Sequence, residues 1–243
     1  MRALGIVKGK SGRKSRILGW FFPFTTQSYF DSAAGIPLRT GMLGFLDSLP
    51  TDCVYAINDS PVGNLWLFAS DKGLYGVLWD MDFLEEAAKE KLSRMERVLS
   101  HPVIDETKTQ LEEYFAGERK EFDLPLVMLG TEFQKRAWQA LVEIPYGETV
   151  SYEEQAIKLG GKNKARAVGS ANSRNPISII VPCHRVIGKT GSLHGFASGP
   201  ERKRFLLDHE LGLSDTRPGK TTDAFQAQFD LTHFSEVSFR RRL

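Results

Sequence analysis

The 243-residue sequence has only two cysteines, Cys53 and Cys183. That excludes a disulfide-stapled secreted fold and a four-thiolate zinc site. Long hydrophobic runs are missing as well. A stretch such as Ile177-Ser178-Ile179-Ile180-Val181 is far too short to span a bilayer. Strong net charge is absent: the formal value is +2, so the sum names no partner and the distribution must. Acidic residues are missing from the start of the chain, where Arg2, Lys8, Lys10, Arg13, Lys14 and Arg16 precede the first one, Asp31. No internal repeat is found. What remains is ordinary globular composition, 41% hydrophobic and 26% charged, enough to bury a core. At roughly 150 residues per domain, the length suits one or two domains.

Residues 1–50 read as an extension outside the fold, either disordered or a targeting segment with Ser32-Ala33-Ala34 as a faint cleavage site. Residues 51–129 read as an α/β lobe. Val54–Ile57, Leu65–Ala69 and Leu74–Trp79 are short, β-rich and separated by turn residues, so a small antiparallel sheet is expected. Helical spacing follows in Phe83, Leu84, Ala87, Ala88, Leu92, Met95 and Leu99, then in Ile104, Leu111, Tyr114 and Phe115 before Gly117. Residues 117–130 read as a connector. Residues 130–212 read as a mainly helical lobe, and 213–243 as a polar, poorly ordered tail.

In the second lobe, Phe133, Ala137, Trp138, Leu141 and Val142 mark an amphipathic helix stopped by Pro145-Tyr146-Gly147. Ser151 with Glu154 forms a capping box, so a helix should open at Tyr152 and break at Gly160-Gly161. Asn163 can cap the next helix, Lys164 to Ser170. Two short helices about a glycine turn fit a DNA-binding helix-turn-helix, and equally many plain α-hairpins. Beyond them, the run from Asn175 to Val181 reads as a buried strand that ends in Pro182-Cys183-His184-Arg185-Val186. An arbitrary Cys-His pair is commonly a buried, inert cysteine beside an incidental histidine. Here the pair follows a proline, sits beside the cationic Arg185 and is held by an apolar run, all of which favour a reactive thiolate. From Lys158 to Arg204 the basic residues are Lys158, Lys162, Lys164, Arg166, Arg174, Arg185, Lys189, Arg202, Lys203 and Arg204, against Glu201 alone. That bias suits phosphate contact or a solvated basic face.

Several of these segments resemble one family. Pro182-Cys183-His184-Arg185-Val186, with Asn175-Pro176 upstream and Arg202 to Glu210 downstream, is similar to the O6-alkylguanine-DNA alkyltransferases. Pro145 to Tyr152, Ala165 to Asn172 and Leu111 to Gly117 match as well, so the likeness covers about residues 53–212. It implies an α/β N-terminal lobe joined to a helical lobe with a helix-turn-helix. The implied function is DNA repair by irreversible, stoichiometric transfer of the alkyl group of O6-alkylguanine, with O4-alkylthymine as a second substrate, to Cys183.

The resemblance also assigns roles. His184 would be the base and ion-pair partner of the thiolate, through a bridging water, and Glu210 its orienting carboxylate. Tyr152 would donate a proton to guanine N3, and Asn175 would brace the site. His209, the other histidine beside Glu210, reads as a helix-surface residue. Arg166 would enter the space of an everted base, with Tyr152, Lys162, Lys164, Ala167, Gly169, Ala171 and Lys189 also facing DNA. Gly169 would permit close approach in the minor groove or merely close helix packing, and Tyr152 could simply be a core aromatic. Val186, Phe196, Ala197 and Ser198 would line the pocket, with the carbonyls of Cys183 and Val186 accepting from the guanine amine. Family members often have tyrosine at Phe196 and glycine at Ser198, so alkyl-size preference is open. No metal and no cofactor are expected. The expected partner is double-stranded DNA read without sequence preference by a monomer, with no membrane. A reactive thiol suits a reducing interior, the cytoplasm, or the nucleus in a eukaryote. The rivals are a non-catalytic binder of alkylated DNA and a Cys-His hydrolase.

Overall fold

A computed structural model describes residues 42–79, 86–193 and 195–213. Most of the expected N-terminal extension, the tail beyond Leu213, and Phe83 and Leu84 lie outside the described residues. Regular structure nevertheless begins earlier than Cys53. A helix, α1 (Met42–Ser48), lies inside the segment assigned to the extension. Its Phe45 and Leu46 pack with Phe68, Tyr75 and Leu78 on one face of the sheet, and the Phe45 and Phe68 rings meet edge-on at 5.8 Å. These apolar side chains recruit the helix to the sheet face.

The sheet is antiparallel, in the order β1 (Val54–Asn58), β2 (Leu65–Ser70), β3 (Gly73–Trp79). Register runs from Val54 opposite Ala69 to Asn58 opposite Leu65, and from Leu65 opposite Trp79. Every residue of β3 is buried, because one face meets the main core and the other the α1 cluster. Its outer edge is occupied too. Leu74 N donates to Pro125 O (2.7 Å), and Val127 N donates to Leu74 O (2.9 Å). Farther along, Val77 N donates to Pro176 O (2.9 Å) and Ser178 N to Val77 O (3.1 Å). The connector and the chain leading to Cys183 thus share one strand edge, which satisfies its backbone groups and anchors both. Gly73 is required where the connector crosses: a Cβ there would sit 2.3 Å from the Pro125 carbonyl oxygen.

Helix α2 (Glu86–Ser93) ends earlier than the periodicity predicts, and Leu99 is 93% exposed beyond it. Helix α3 (Pro102–Phe115) opens on a proline at its first turn and buries Ile104, Leu111 and Tyr114. Helix α4 (Glu132–Val142) carries a capping box from Thr131 and Gln134. The Ser151–Glu154 box forms as expected and starts α5 (Tyr152–Lys158). The turn after α5 differs from expectation. Asn163 lies within a one-turn 3-10 segment (Lys162–Lys164) and does not cap α6 (Ala165–Ser173), whose N-cap position is Lys164, without a side-chain hydrogen bond. A buried amide pair locks α5 to α6, with Asn172 Nδ2 donating to Gln155 Oε1 (2.7 Å), and Trp138 Nε1 ties α4 to the Ala171 carbonyl (2.8 Å). The last helix is α7 (Pro200–Glu210). No described helix is long and apolar enough to cross a membrane.

Candidate active site

The run from Asn175 to Val181 is not the strand its apolar residues suggest. It touches the sheet at a single bridge, Val77 to Ile177, and then coils. Val181 N donates back to Ile177 O (2.9 Å), and Ile179 takes a left-handed backbone (φ 72°). A β-branched residue is strained there. The segment is apolar because it is enclosed on all sides, and its backbone groups need side-chain partners in place of a second strand. Asn175 supplies them. Its Oδ1 accepts from Ile177 N (3.0 Å), and its Nδ2 donates to Val181 O (2.7 Å) and to Cys183 Sγ (3.3 Å). Cys183, His184 and Arg185 follow in one 3-10 turn. A two-residue parallel pairing, β4 (Val150–Ser151) with β5 (Val186–Ile187), brings the start of α5, and so Tyr152, to the same turn.

Glu210 collects the donors of the site. His184 Nε2 donates to its Oε1 at 2.7 Å, both side chains being fully enclosed. Arg185 grips both carboxylate oxygens, with Nε 3.0 Å from Oε2 and Nη2 3.0 Å from Oε1, while its Nη1 donates to Ile144 O (2.6 Å). Gly147 N donates to Oε2 (2.9 Å) and Tyr114 Oη to Oε1 (2.9 Å). Burial works against the charge on Glu210, yet His184 and Arg185 hold its carboxyl well below the usual carboxylate range. Burial lowers His184 below the ordinary imidazole value, with Glu210 pulling the other way. The neutral ring therefore carries its proton on Nε2. Nδ1 is a buried lone-pair acceptor with no hydrogen-bond partner, one residue from the thiol.

Tyr152 is partly buried, and its hydroxyl is pushed up to about 12, by burial first and then by Cys183, so it stays protonated at neutral pH. A Cβ on Gly169 would rest 3.8 Å from the Tyr152 ring, an ordinary contact, so helix packing does not demand glycine there.

Other expectations need correction. His209 is not on the surface: it is buried, and its Nε2 donates to the Tyr114 carbonyl (2.7 Å), because α3 packs across α7. Ala171 faces the core and cannot face DNA. Lys164 Nζ donates to Leu159 O (3.0 Å), closing the end of α5, and Lys189 pairs with Glu153 (3.2 Å). Arg166, Ala167 and Lys162 are exposed. The basic bias is less outward than the sequence implies. Arg185 is spent on Glu210, and Lys203 is fully buried, with its Nζ donating to Val186 O (2.5 Å) between the Tyr152 and Phe196 rings (5.6 and 5.7 Å). The Val186 carbonyl expected to meet guanine is thus already an acceptor. Phe196 and Ala197 are half-buried and Ser198 is buried.

Sequence reasoning missed Tyr114, Arg185 and Gly147 as partners of Glu210, and Lys203 as a buried cation. Only tertiary packing joins residues 96 positions apart, as Tyr114 and Glu210 are.

Residues 53–128 match the ribonuclease-like domain of 6-O-methylguanine DNA methyltransferase, and residues 132–212 match its DNA binding domain. A methylated-DNA–protein-cysteine methyltransferase of Methanosarcina acetivorans is 50% identical over 157 residues, 64% of this chain and 97% of that protein. One of Mycobacterium leprae is 49% identical over 152 residues, 63% of this chain and 88% of that protein. The fold is similar to the crystal structure of the Mycobacterium tuberculosis O6-methylguanine methyltransferase (TM-score 0.60, 42% identity, 68% of this chain and 96% of that one). It is also similar to the M. tuberculosis protein solved in complex with DNA (TM-score 0.58, 43% identity, 66% of this chain and 94% of that one).

Proposed function

The chain belongs to the 6-O-methylguanine DNA methyltransferase family, and from that premise we propose that Cys183 is the residue that accepts the alkyl group. The protein is a DNA repair enzyme that moves the alkyl group of O6-alkylguanine in DNA onto one of its own cysteines. The observation that carries the assignment is the buried His184–Glu210 pair (2.7 Å), which leaves Nδ1 as a buried acceptor without a hydrogen-bond partner on the residue that follows Cys183.

His184 Nδ1 takes the thiol proton, directly or through a water, and the imidazolium is stabilised by the carboxylate behind it. The thiolate attacks the alkyl carbon: the S–C bond forms as the C–O6 bond breaks, and the electron pair passes to the purine. Tyr152 gives its proton to N3, so guanine leaves neutral, and the thiol proton held by His184 returns to the tyrosine through solvent. A thioether, unlike a thioester, is not hydrolysed at neutral pH, so the protein acts once and needs no cofactor. Asn175 braces the turn and directs an N–H at the sulfur.

The base must leave the stack to reach a buried sulfur. Arg166, exposed at the start of α6, fills its place from the minor groove of the duplex. Lys162, Ala167 and Gly169 form the approach, phosphates rather than bases are read, and one monomer suffices. Phe196, Ala197 and Ser198 shape the alkyl pocket, and O4-alkylthymine is a secondary substrate. A thiolate nucleophile suits a reducing compartment, the cytoplasm or the nucleus.

Equimolar protein and O6-methylguanine duplex, followed by intact and peptide mass spectrometry, tests this. One added methyl on the Cys183 peptide is expected, and none in Cys183→Ala. Cys53 should remain unmodified, because burial pushes its thiol up to about 12. Label on Cys53, or repeated turnovers on an ester without DNA, would overturn the assignment.

A further inference from the structure

The geometry points to a chemical role for the N-terminal lobe: we infer that Tyr114 is a positioning residue for alkyl transfer, setting through Glu210 how strongly the proton on His184 is held. This rests on the reading of Cys183 as acceptor and His184 as base.

Tyr114 lies near the end of α3, in the ribonuclease-like domain, and is fully buried. It makes two bonds to consecutive residues of α7. Its hydroxyl donates to Glu210 Oε1 (2.9 Å), and its carbonyl accepts from His209 Nε2 (2.7 Å). The oxygen it reaches is the one His184 Nε2 reaches at 2.7 Å. Packing does not require the hydroxyl. The ring is already held by Phe115, Phe122, Tyr146 and His209, with centroids 5.0 to 6.0 Å apart. Burial, and then the neighbouring Glu210, raise the phenol well above its ordinary value, so it is a permanent neutral donor.

A donor on Oε1 draws off carboxylate charge that would otherwise act on the imidazole N–H. The charged groups around His184 are Glu210 and Lys203 from α7 and Arg185 from its own turn. Arg185 and Lys203 disfavour the imidazolium, Glu210 favours it, and Tyr114 moderates Glu210. Removing the hydroxyl concentrates the carboxylate charge on His184 Nε2–H and raises the imidazole pKa. His184 must be neutral to take the thiol proton, so the acid limb of the rate profile moves to higher pH.

The test uses the full chain and a Tyr114→Phe variant in single-turnover transfer at saturating O6-methylguanine duplex. A hydrogen bond to a buried charge corresponds to about a tenfold change, or about one pH unit. Transfer should be about tenfold slower near pH 6.5 but within about threefold of the parent near pH 8.5, with duplex affinity unchanged. In a Glu210→Gln background, where no carboxylate charge remains to moderate, adding Tyr114→Phe should leave the profile where Glu210→Gln puts it. A pH-independent loss, an unmoved acid limb, or an added loss in the Gln background overturns the inference. No transfer by the parent protein would instead sink the assignment of Cys183. Thermal melting of each variant identifies any that fails to fold, and the remaining pair still decides.

Discussion

Lys203 illustrates how far a residue's role departs from its type. A lysine in a basic stretch reads as a phosphate contact, yet this one is sealed beneath Tyr152 and Phe196 and bonded to a carbonyl. Burial pushes its ammonium down to about 8, against 10.5 for the ordinary group. The unfolded chain therefore holds this proton to higher pH than the folded protein does. Stability should rise as pH goes from 8 toward 10, by on the order of 2 kcal/mol from this group, and the rise should vanish in Lys203→Met. Chemical denaturation at a series of pH values measures it. A flat parent curve would mean that the cation is better solvated than its enclosure implies. Asn175 makes the complementary point. The family resemblance implies a brace at Asn175, and it does bond Ile177 N and Val181 O, but its contact with the sulfur was not readable from spacing.

At the scale of elements, local chemistry was legible wherever a short segment determines its own backbone. The Ser151–Glu154 capping box formed where the pattern placed it, and the β-rich segments paired as the expected antiparallel sheet. Helix α5 begins on Tyr152, so the box also aims the proposed acid. Ser151→Ala should cost about 1 kcal/mol in unfolding free energy. It should also slow transfer more than it weakens duplex binding, which a single-turnover assay run beside a binding titration would separate. Equal losses in both would mean that the cap serves only folding. The failures share one cause. The apolar 177–181 run looks like a strand because enclosure on all sides and strand burial select the same residues. What distinguishes them is pairing, and β3 offers this run only Val77. Asn163 likewise has the right side chain for a cap, but the tight turn after Gly161 places it in the 3-10 segment.

For the whole molecule, the consequence of the fold is that the proposed DNA contact at Arg166 and the proposed reacting residue Cys183 differ in exposure: Arg166 is exposed and Cys183 is buried. Arg166 lies on the exposed face of α6, while Ala171 and Asn172 of the same helix are buried against α4 and α5. Arg166→Ala should therefore impair transfer from a methylated duplex by tenfold or more while sparing reaction with free O6-benzylguanine, which needs no base eversion. It should also flatten the dependence of log affinity on log salt by about one unit. An equal loss on the free base would move Arg166 into the pocket. The N-terminal lobe enters this picture as a support. β3 anchors the chain before Cys183, and α3 anchors the end of α7.

The linear chain by itself determined the proposed reacting pair, the Ser151–Glu154 capping box and the β-rich segments, because each is encoded within a few neighbouring positions. Tertiary structure alone decided that five donor groups would converge on Glu210, that Lys203 would face inward, and that His209 would be buried. The charge state of a carboxylate or an amine depends on how much water it loses and which opposite charges replace that water. Those neighbours come from α3, the Gly147 turn, the Cys183 turn and α7, and they meet only once the two lobes pack against each other.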